Sequence, residues 1–221
     1  MVVLDPAHGG TDTGARGENG AVEKDIVLQF ARAMRAELVR EGYRVVLTRD
    51  DDSNPSYDDR AAMANSYRDA IFINLHVSST GTLGTARVYF YQFWTPLPPP
   101  AAAVSSNADK STPPPIALTS TPGPTSLIPW DQAQRPYVDM SHRLADQLQA
   151  QLATVFMGSP GISVGVAERG LRSVTAPAIS IEISSVAAPN VASLSSMAAP
   201  LGVAVGKGLQ SFRSANSAGP K

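Results

Sequence analysis

His8 closes one apolar run, VVLDPAH, and His76 closes another, AIFINLH. Between them Glu23 opens an amphipathic segment, EKDIVLQFARAM, and Glu182 lies inside a later apolar run, AISIEIS. Two imidazoles and a carboxylate form a ligand set for a hydrolytic zinc ion, with one coordination position left for water. A further carboxylate within reach serves such a site as proton acceptor. Metal-dependent hydrolysis is therefore the leading reading, with Zn²⁺ as cofactor, His8, Glu23 and His76 as metal ligands and Glu182 as the catalytic group.

Each residue also has an ordinary explanation. Glu23 in a first helical turn favours the helix dipole, and a histidine after a strand is often a loop residue. Glu182 between Ile181 and Ile183 is costly unless it is paired, with Arg172 as one structural partner, or bound to a cation. The third histidine, His142, has Ser141 and Arg143 beside it in a helical pattern and reads as solvent-facing.

The four side chains can meet only if the chain brings distant segments to one rim. Short apolar runs predict strands over 2–7, 43–48, 70–76, 86–92 and 178–183. Ile26, Phe30, Met34 and Leu38 recur at helical spacing and predict a helix over 23–41. Further helices are expected over 58–67, 137–156 and 191–212. Strand, crossover helix and strand in succession predict an α/β fold, a single twisted, mainly parallel sheet of about five or six strands flanked by helices. In such a sheet ligands gather at the carboxyl ends of the strands. His8, His76 and Glu182 lie at or near such ends, and the helix of Glu23 starts on the same rim.

Residues 95–135 break this pattern. They are rich in proline, serine, threonine and alanine, with few charges, and predict an extended insertion lying over the surface near the cleft rim. The tail 216–221 is expected to be disordered.

The chain has 221 residues, enough for one domain with an embellishment. A formal net charge of −1 and a pI near 6.3 carry no polyanion-binding signature, so no nucleic acid partner is expected. The absence of cysteine excludes thiolate metal sites, disulfides and cysteine nucleophiles but selects no redox compartment. No transmembrane segment is expected, because no run approaches the roughly 18 apolar residues of a membrane span. With a strand predicted directly after Met1, the sequence reads as a mature domain whose export signal lay upstream. PAHGG lacks the spacing of a phosphate-binding loop, and no G-x-S-x-G elbow appears.

In order and spacing, LDPAHGGTDTGARG, NGAVEKDIVLQFARAM, LVREGYRVVLTRDDD, DDRAAMANSYRDAIFINLHVSS and RGLRSVTAPAISIEISSV make the chain resemble the zinc-dependent N-acetylmuramoyl-L-alanine amidases of bacterial cell-wall metabolism, the amidase-3 family. The resemblance implies that His8, Glu23 and His76 match the zinc ligands and that Glu182 matches the catalytic glutamate. It implies an amidase catalytic domain over 1–215 and peptidoglycan as substrate. It also implies a periplasmic or extracellular place in the cell envelope, with a regulatory protein partner left unspecified. Asp5, Arg60 and Asn65 are candidates to organise the surroundings of the ligands, with structural pairing an equal reading. The sequence departs from the family pattern at Ala7, where glycine is usual, at Val77 and Ser78 after the second histidine, and over ISSVAAPN. The alternatives are a zinc peptidase acting on stem peptides and a non-catalytic wall-binding domain. Retention of all four residues argues against the second.

Overall fold

The computed structural model describes residues 1–18, 20–93, 128–187 and 191–217. Its centre is a six-stranded sheet in the order β2-β1-β3-β6-β4-β5. The strands are β1 (Val2–Pro6), β2 (Val45–Leu47), β3 (Ile71–Ser78), β4 (Thr85–Tyr91), β5 (Val164–Val166) and β6 (Ala178–Ser184). β1, β2, β3 and β6 run parallel; β4 pairs antiparallel with β6 and parallel with β5.

Side chains of a strand alternate between its two faces, and here the alternation separates packing from chemistry. Val2, Leu4, Ile71, Ile73, Leu75, Val77, Ile179, Ile181 and Ile183 all join one large core. That core is completed by α1 (Glu23–Arg40), α3 (Val138–Val155) and α6 (Ala198–Ser217). Ile26, Phe30, Met34 and Leu38 of α1 are buried in it, each contributing about 1.5–3 kcal/mol relative to exposure. On the opposite face, Val3, Phe72 and Ala178 pack with Ala61 and Ala64 of α2 (Tyr57–Asn65) and Leu171 of α4 (Arg169–Arg172). This second layer covers only the first half of each strand. Beyond it the same face carries Asp5, Asn74, His76, Ser180 and Glu182, and there the sheet opens into a cleft.

α1 enters from an extended Val22 with Glu23 and Asp25 in its first turn, and Gly42 beyond its end adopts φ +85°. That left-handed position suits glycine. α2 begins with a capping box between Ser56 and Asp59.

The sheet is mixed, and β5 and α4 arise where no strand or helix was expected. The helix expected over 191–212 is two helices, α5 (Val191–Ser195) and α6. Pro200 lies in the first turn of α6, where a missing N–H costs nothing. Residues 94–127 of the proline-rich insertion lie outside the described residues. Its end forms two short 3-10 turns, Trp130–Gln132 and Arg135–Tyr137, that lead into α3. α6 runs to Ser217, past the expected start of the tail at 216; the rest of the tail is outside the described residues.

Candidate metal centre

His8 follows β1 in a left-handed conformation, φ +63°, which costs a non-glycine residue about 1–3 kcal/mol and persists only when its surroundings hold it. They do. Arg60 donates to the His8 carbonyl at 2.9 Å and to the Pro6 carbonyl at 3.0 Å. Arg49 donates to the carbonyls of Pro6 and Ala7, each at 2.8 Å. The imidazole is fixed from the far side by Asp12, whose Oδ2 lies 2.9 Å from Nδ1. With a proton on Nδ1, the lone pair of Nε2 faces inward, 3.2 Å from Glu23 Oε2.

Glu23 uses both oxygens. Oε2 accepts the backbone N–H of Ala15 at 2.8 Å, and Oε1 accepts that of Val77 at 2.9 Å. His76 Nδ1 lies 2.9 Å from Oε1. The two imidazoles meet edge to face with centroids 5.2 Å apart. One ligand atom from each of His8, Glu23 and His76 lies within 4.8 Å of the other two. Two imidazoles and one carboxylate around a single point, with no thiolate, suit a borderline divalent ion with an open coordination position.

Burial pushes the Glu23 carboxyl up, but hydrogen bonds from His76 and His8 outweigh it and hold the group well below the usual range. The hydrogen bond to Glu23 raises His8, against burial and with help from Asp12. His76 is depressed by burial, yet Glu23 and Glu168 raise it overall. A raised histidine favours the protonated fold, a contribution fully present below the ordinary 6.5 and lost as pH rises through the raised value. Metal uptake must displace those protons. Metal affinity is therefore expected to fall, by up to about 100-fold per pH unit, as pH drops through that window. Chelator-competition titrations between about pH 8 and about pH 6 would check this, and a flat profile would remove the two histidines as ligands.

Gly14 closes the pocket around the ligands. It has φ +61°, and a Cβ there would lie 2.5 Å from Glu23 Oε2 and 2.8 Å from His8 Nε2. Both side chains are clamped, so neither can yield. Gly14→Ala is expected to weaken metal binding about 10–100-fold, read by the same titration; unchanged affinity would mean that the ligands are looser than their hydrogen bonds indicate.

Glu182 stands opposite His76 in the β3–β6 register, on the same face. Its Oε1 accepts the Tyr89 hydroxyl at 3.3 Å, so Tyr89 takes the place expected for Arg172. A cavity of about 480 Å³ is lined by His76, Glu182, Tyr89, Glu168, Arg169 and Tyr57, among others. It adjoins one of about 320 Å³ through Tyr57 and His76, and one of about 340 Å³ through Tyr89 and Glu182. The three form a groove along the strand ends with His76 and Glu182 at its middle. A larger cavity of about 730 Å³ lies at the opposite strand ends, near Met1, Ile71 and Pro177, and includes none of the four candidates.

Asp5 and Arg60 lie beneath the ligands. Arg60 Nη1 donates to Asp5 Oδ1 at 2.6 Å, Thr48 donates to the same oxygen, and Asn74 Nδ2 donates to Asp5 Oδ2 at 3.1 Å. Asn65 does not join them. It donates to the Ser173 carbonyl at 3.0 Å and accepts from the Thr175 N–H at 2.7 Å, pinning the loop before β6. His142 is exposed and stacks on Phe90, with ring centroids 4.3 Å apart.

The family model for N-acetylmuramoyl-L-alanine amidase, Amidase_3, matches residues 2–205. The chain belongs to this family. It is 41% identical over 85 residues to the sporulation-specific N-acetylmuramoyl-L-alanine amidase of Bacillus subtilis, covering 38% of this chain and 33% of that protein. Against the N-acetylmuramoyl-L-alanine amidase AmiA of Escherichia coli it is 42% identical over 76 residues, covering 34% of this chain and 26% of that one. The aligned stretches thus span a third or less of these curated relatives. The crystal structure of the amidase Ami1 from Mycobacterium smegmatis matches with a TM-score of 0.67 at 20% identity, covering 97% of this chain and 96% of that one. At that identity the likeness establishes the fold.

Within this amidase family chain the departures at Ala7, Val77 and Ser78 leave His8, Glu23 and His76 grouped. Ala7 is buried and donates its N–H to Leu75 at 3.2 Å. Val77 serves Glu23 through its backbone N–H, and Ser78 Oγ donates to the Thr80 carbonyl at 2.6 Å. Sequence reasoning missed Asp12, Tyr89 and Glu168. Asp12, four residues beyond His8 in the glycine loop, was findable as a histidine partner. Glu168 lies outside any periodic segment; its carboxyl, raised by burial, sits 3.8 Å from His76 Nε2.

Proposed function

We propose that this protein is a zinc-dependent amidase that hydrolyses the bond between N-acetylmuramic acid and L-alanine in peptidoglycan, and that it works in the periplasm or outside the cell. Residues 1–215 are its catalytic unit. The observation that carries this is the convergence of His8, Glu23 and His76, with Glu182 facing the same groove from the neighbouring strand. Membership of the amidase family supplies the substrate. Among the described residues no helix is long and apolar enough to cross a membrane.

Zinc held by those three residues lowers the pKa of water and polarises a carbonyl. The remaining steps belong to the chain's own residues. Glu182, steadied by Tyr89, accepts a proton from the attacking water and returns it to the leaving nitrogen. Asp12 holds His8 in the tautomer that presents Nε2.

Metal content of the purified protein, with muropeptide digestion before and after chelation, tests the assignment. Chelation is expected to abolish release of intact stem peptides, and added zinc to restore it. Release of single amino acids would instead assign a peptidase.

A further inference from the structure

Among the described residues, Arg169 lines the central cavity of the groove without a carboxylate partner. Arg169 opens α4, and its guanidinium carbon lies 5.1 Å from the centre of the Tyr57 ring. A guanidinium held over an aromatic face still has N–H groups free to bond outward. Among the described residues no carboxylate lies within 4.0 Å of it. The two acids that line the same cavity are turned elsewhere. Glu168 Oε1 faces His76 Nε2 at 3.8 Å, and Glu182 Oε1 receives the Tyr89 hydroxyl. Gly170 brings α4 down onto the groove floor, since a Cβ there would lie 3.1 Å from Asn74 Nδ2. Arg169 is thereby presented, exposed and stacked, in the cavity that also contains His76 and Glu182.

An unanswered guanidinium favours a ligand that carries a carboxylate, which it can bind through two parallel hydrogen bonds. The glycan part of the substrate is neutral and would gain little from it. Glu182, the group that protonates the leaving nitrogen, lines this cavity, which places the departing peptide on the same side. Resting on the amidase reading, we propose that Arg169, stacked on Tyr57, anchors a carboxylate of the leaving peptide. The protein thereby selects stem peptides with a free acid on the residue after the first alanine. Arg87, which lines the adjoining cavity, is the nearest competitor for this role.

The test uses the metal-loaded protein and two ligands blocked as γ-methylamides, L-Ala-D-Glu and its α-amide L-Ala-D-isoGln, which differ only in the α-carboxylate. Calorimetry is expected to give at least about tenfold tighter binding of the acid by the wild type. In Arg169→Ala that preference should shrink to near unity. Arg169→Lys should keep part of it, because a point charge lacks the paired geometry. Hydrolysis of the matching muramyl dipeptides should show the same preference, mainly in KM. Circular dichroism and metal content of Arg169→Ala establish that the fold is intact. The proposal is overturned if the wild type does not discriminate, if Arg169→Ala still does, or if Arg87→Ala removes the preference instead. Dipeptide binding needs no turnover. Discrimination without hydrolysis of any muramyl peptide would keep the anchor and remove the amidase reading.

Discussion

Replacing Glu182 with alanine is expected to lower kcat for muropeptide hydrolysis by about 10²–10⁴-fold while bound metal stays at the wild-type level. The separation follows from geometry. Glu182 is not in the group of three whose ligand atoms lie together; it faces the groove from β6, held by Tyr89. Its loss removes a proton carrier and no ligand. Glu182→Gln sharpens the test, since the amide keeps the shape and can still accept from Tyr89 but cannot take a proton. Glu168 is the rival carboxylate of the cavity, yet it faces His76 Nε2, whereas Glu23 lies on the Nδ1 side. Glu168→Gln should therefore cost far less in kcat than Glu182→Gln. The reverse order would transfer the role to Glu168, and loss of metal in Glu182→Ala would make it a ligand.

What was legible in the sequence was whatever a period or a short local pattern encodes. α1 could be read from Ile26, Phe30, Met34 and Leu38, and the structure buries all four. The strand ends bearing His8 and His76 could be read because apolar runs stop there. Glu182 was readable more fully than as a buried carboxylate. Ile179, Ile181 and Ile183 alternate with Ser180, Glu182 and Ser184, and that alternation puts the glutamate on the polar face of an amphipathic strand.

The direction of β4 was also within reach. Only residues 79–84 separate it from β3, too few for a parallel crossover, which needs a dozen or more. Its pairing with β6 was not, since partners distant in sequence are set by the packing of the whole sheet. β5 and α4 have three and four residues, too short for any period to register. Asn65 shares a helix with Arg60, and of its two readings the structure shows structural pairing. Five residues further along, it is about 7.5 Å up the axis and on a different side, and it serves the loop before β6.

Asp5 carries the second large expectation. Its carboxylate and the Arg60 guanidinium are both buried, 2.6 Å apart. Removing one partner of such a pair leaves an uncompensated charge in the interior, so Asp5→Ala is expected to destabilise the metal-free protein by about 3–5 kcal/mol. Denaturant unfolding would measure it, and a loss below about 1 kcal/mol would mean that Arg60 is sustained by its other partners alone. Those partners make the pair more than structural. The same guanidinium holds the carbonyls of Pro6 and His8, and so holds His8 in its left-handed conformation. Replacing both charges by apolar residues of similar volume, Asp5→Leu with Arg60→Met, removes the unpaired charge and should recover much of the stability. It does not restore the donors to His8. Metal affinity in the double variant is therefore expected to stay reduced while stability returns. Recovery of both together would reduce Arg60 to ordinary pairing beneath the sheet, with no part in shaping the ligand set above it.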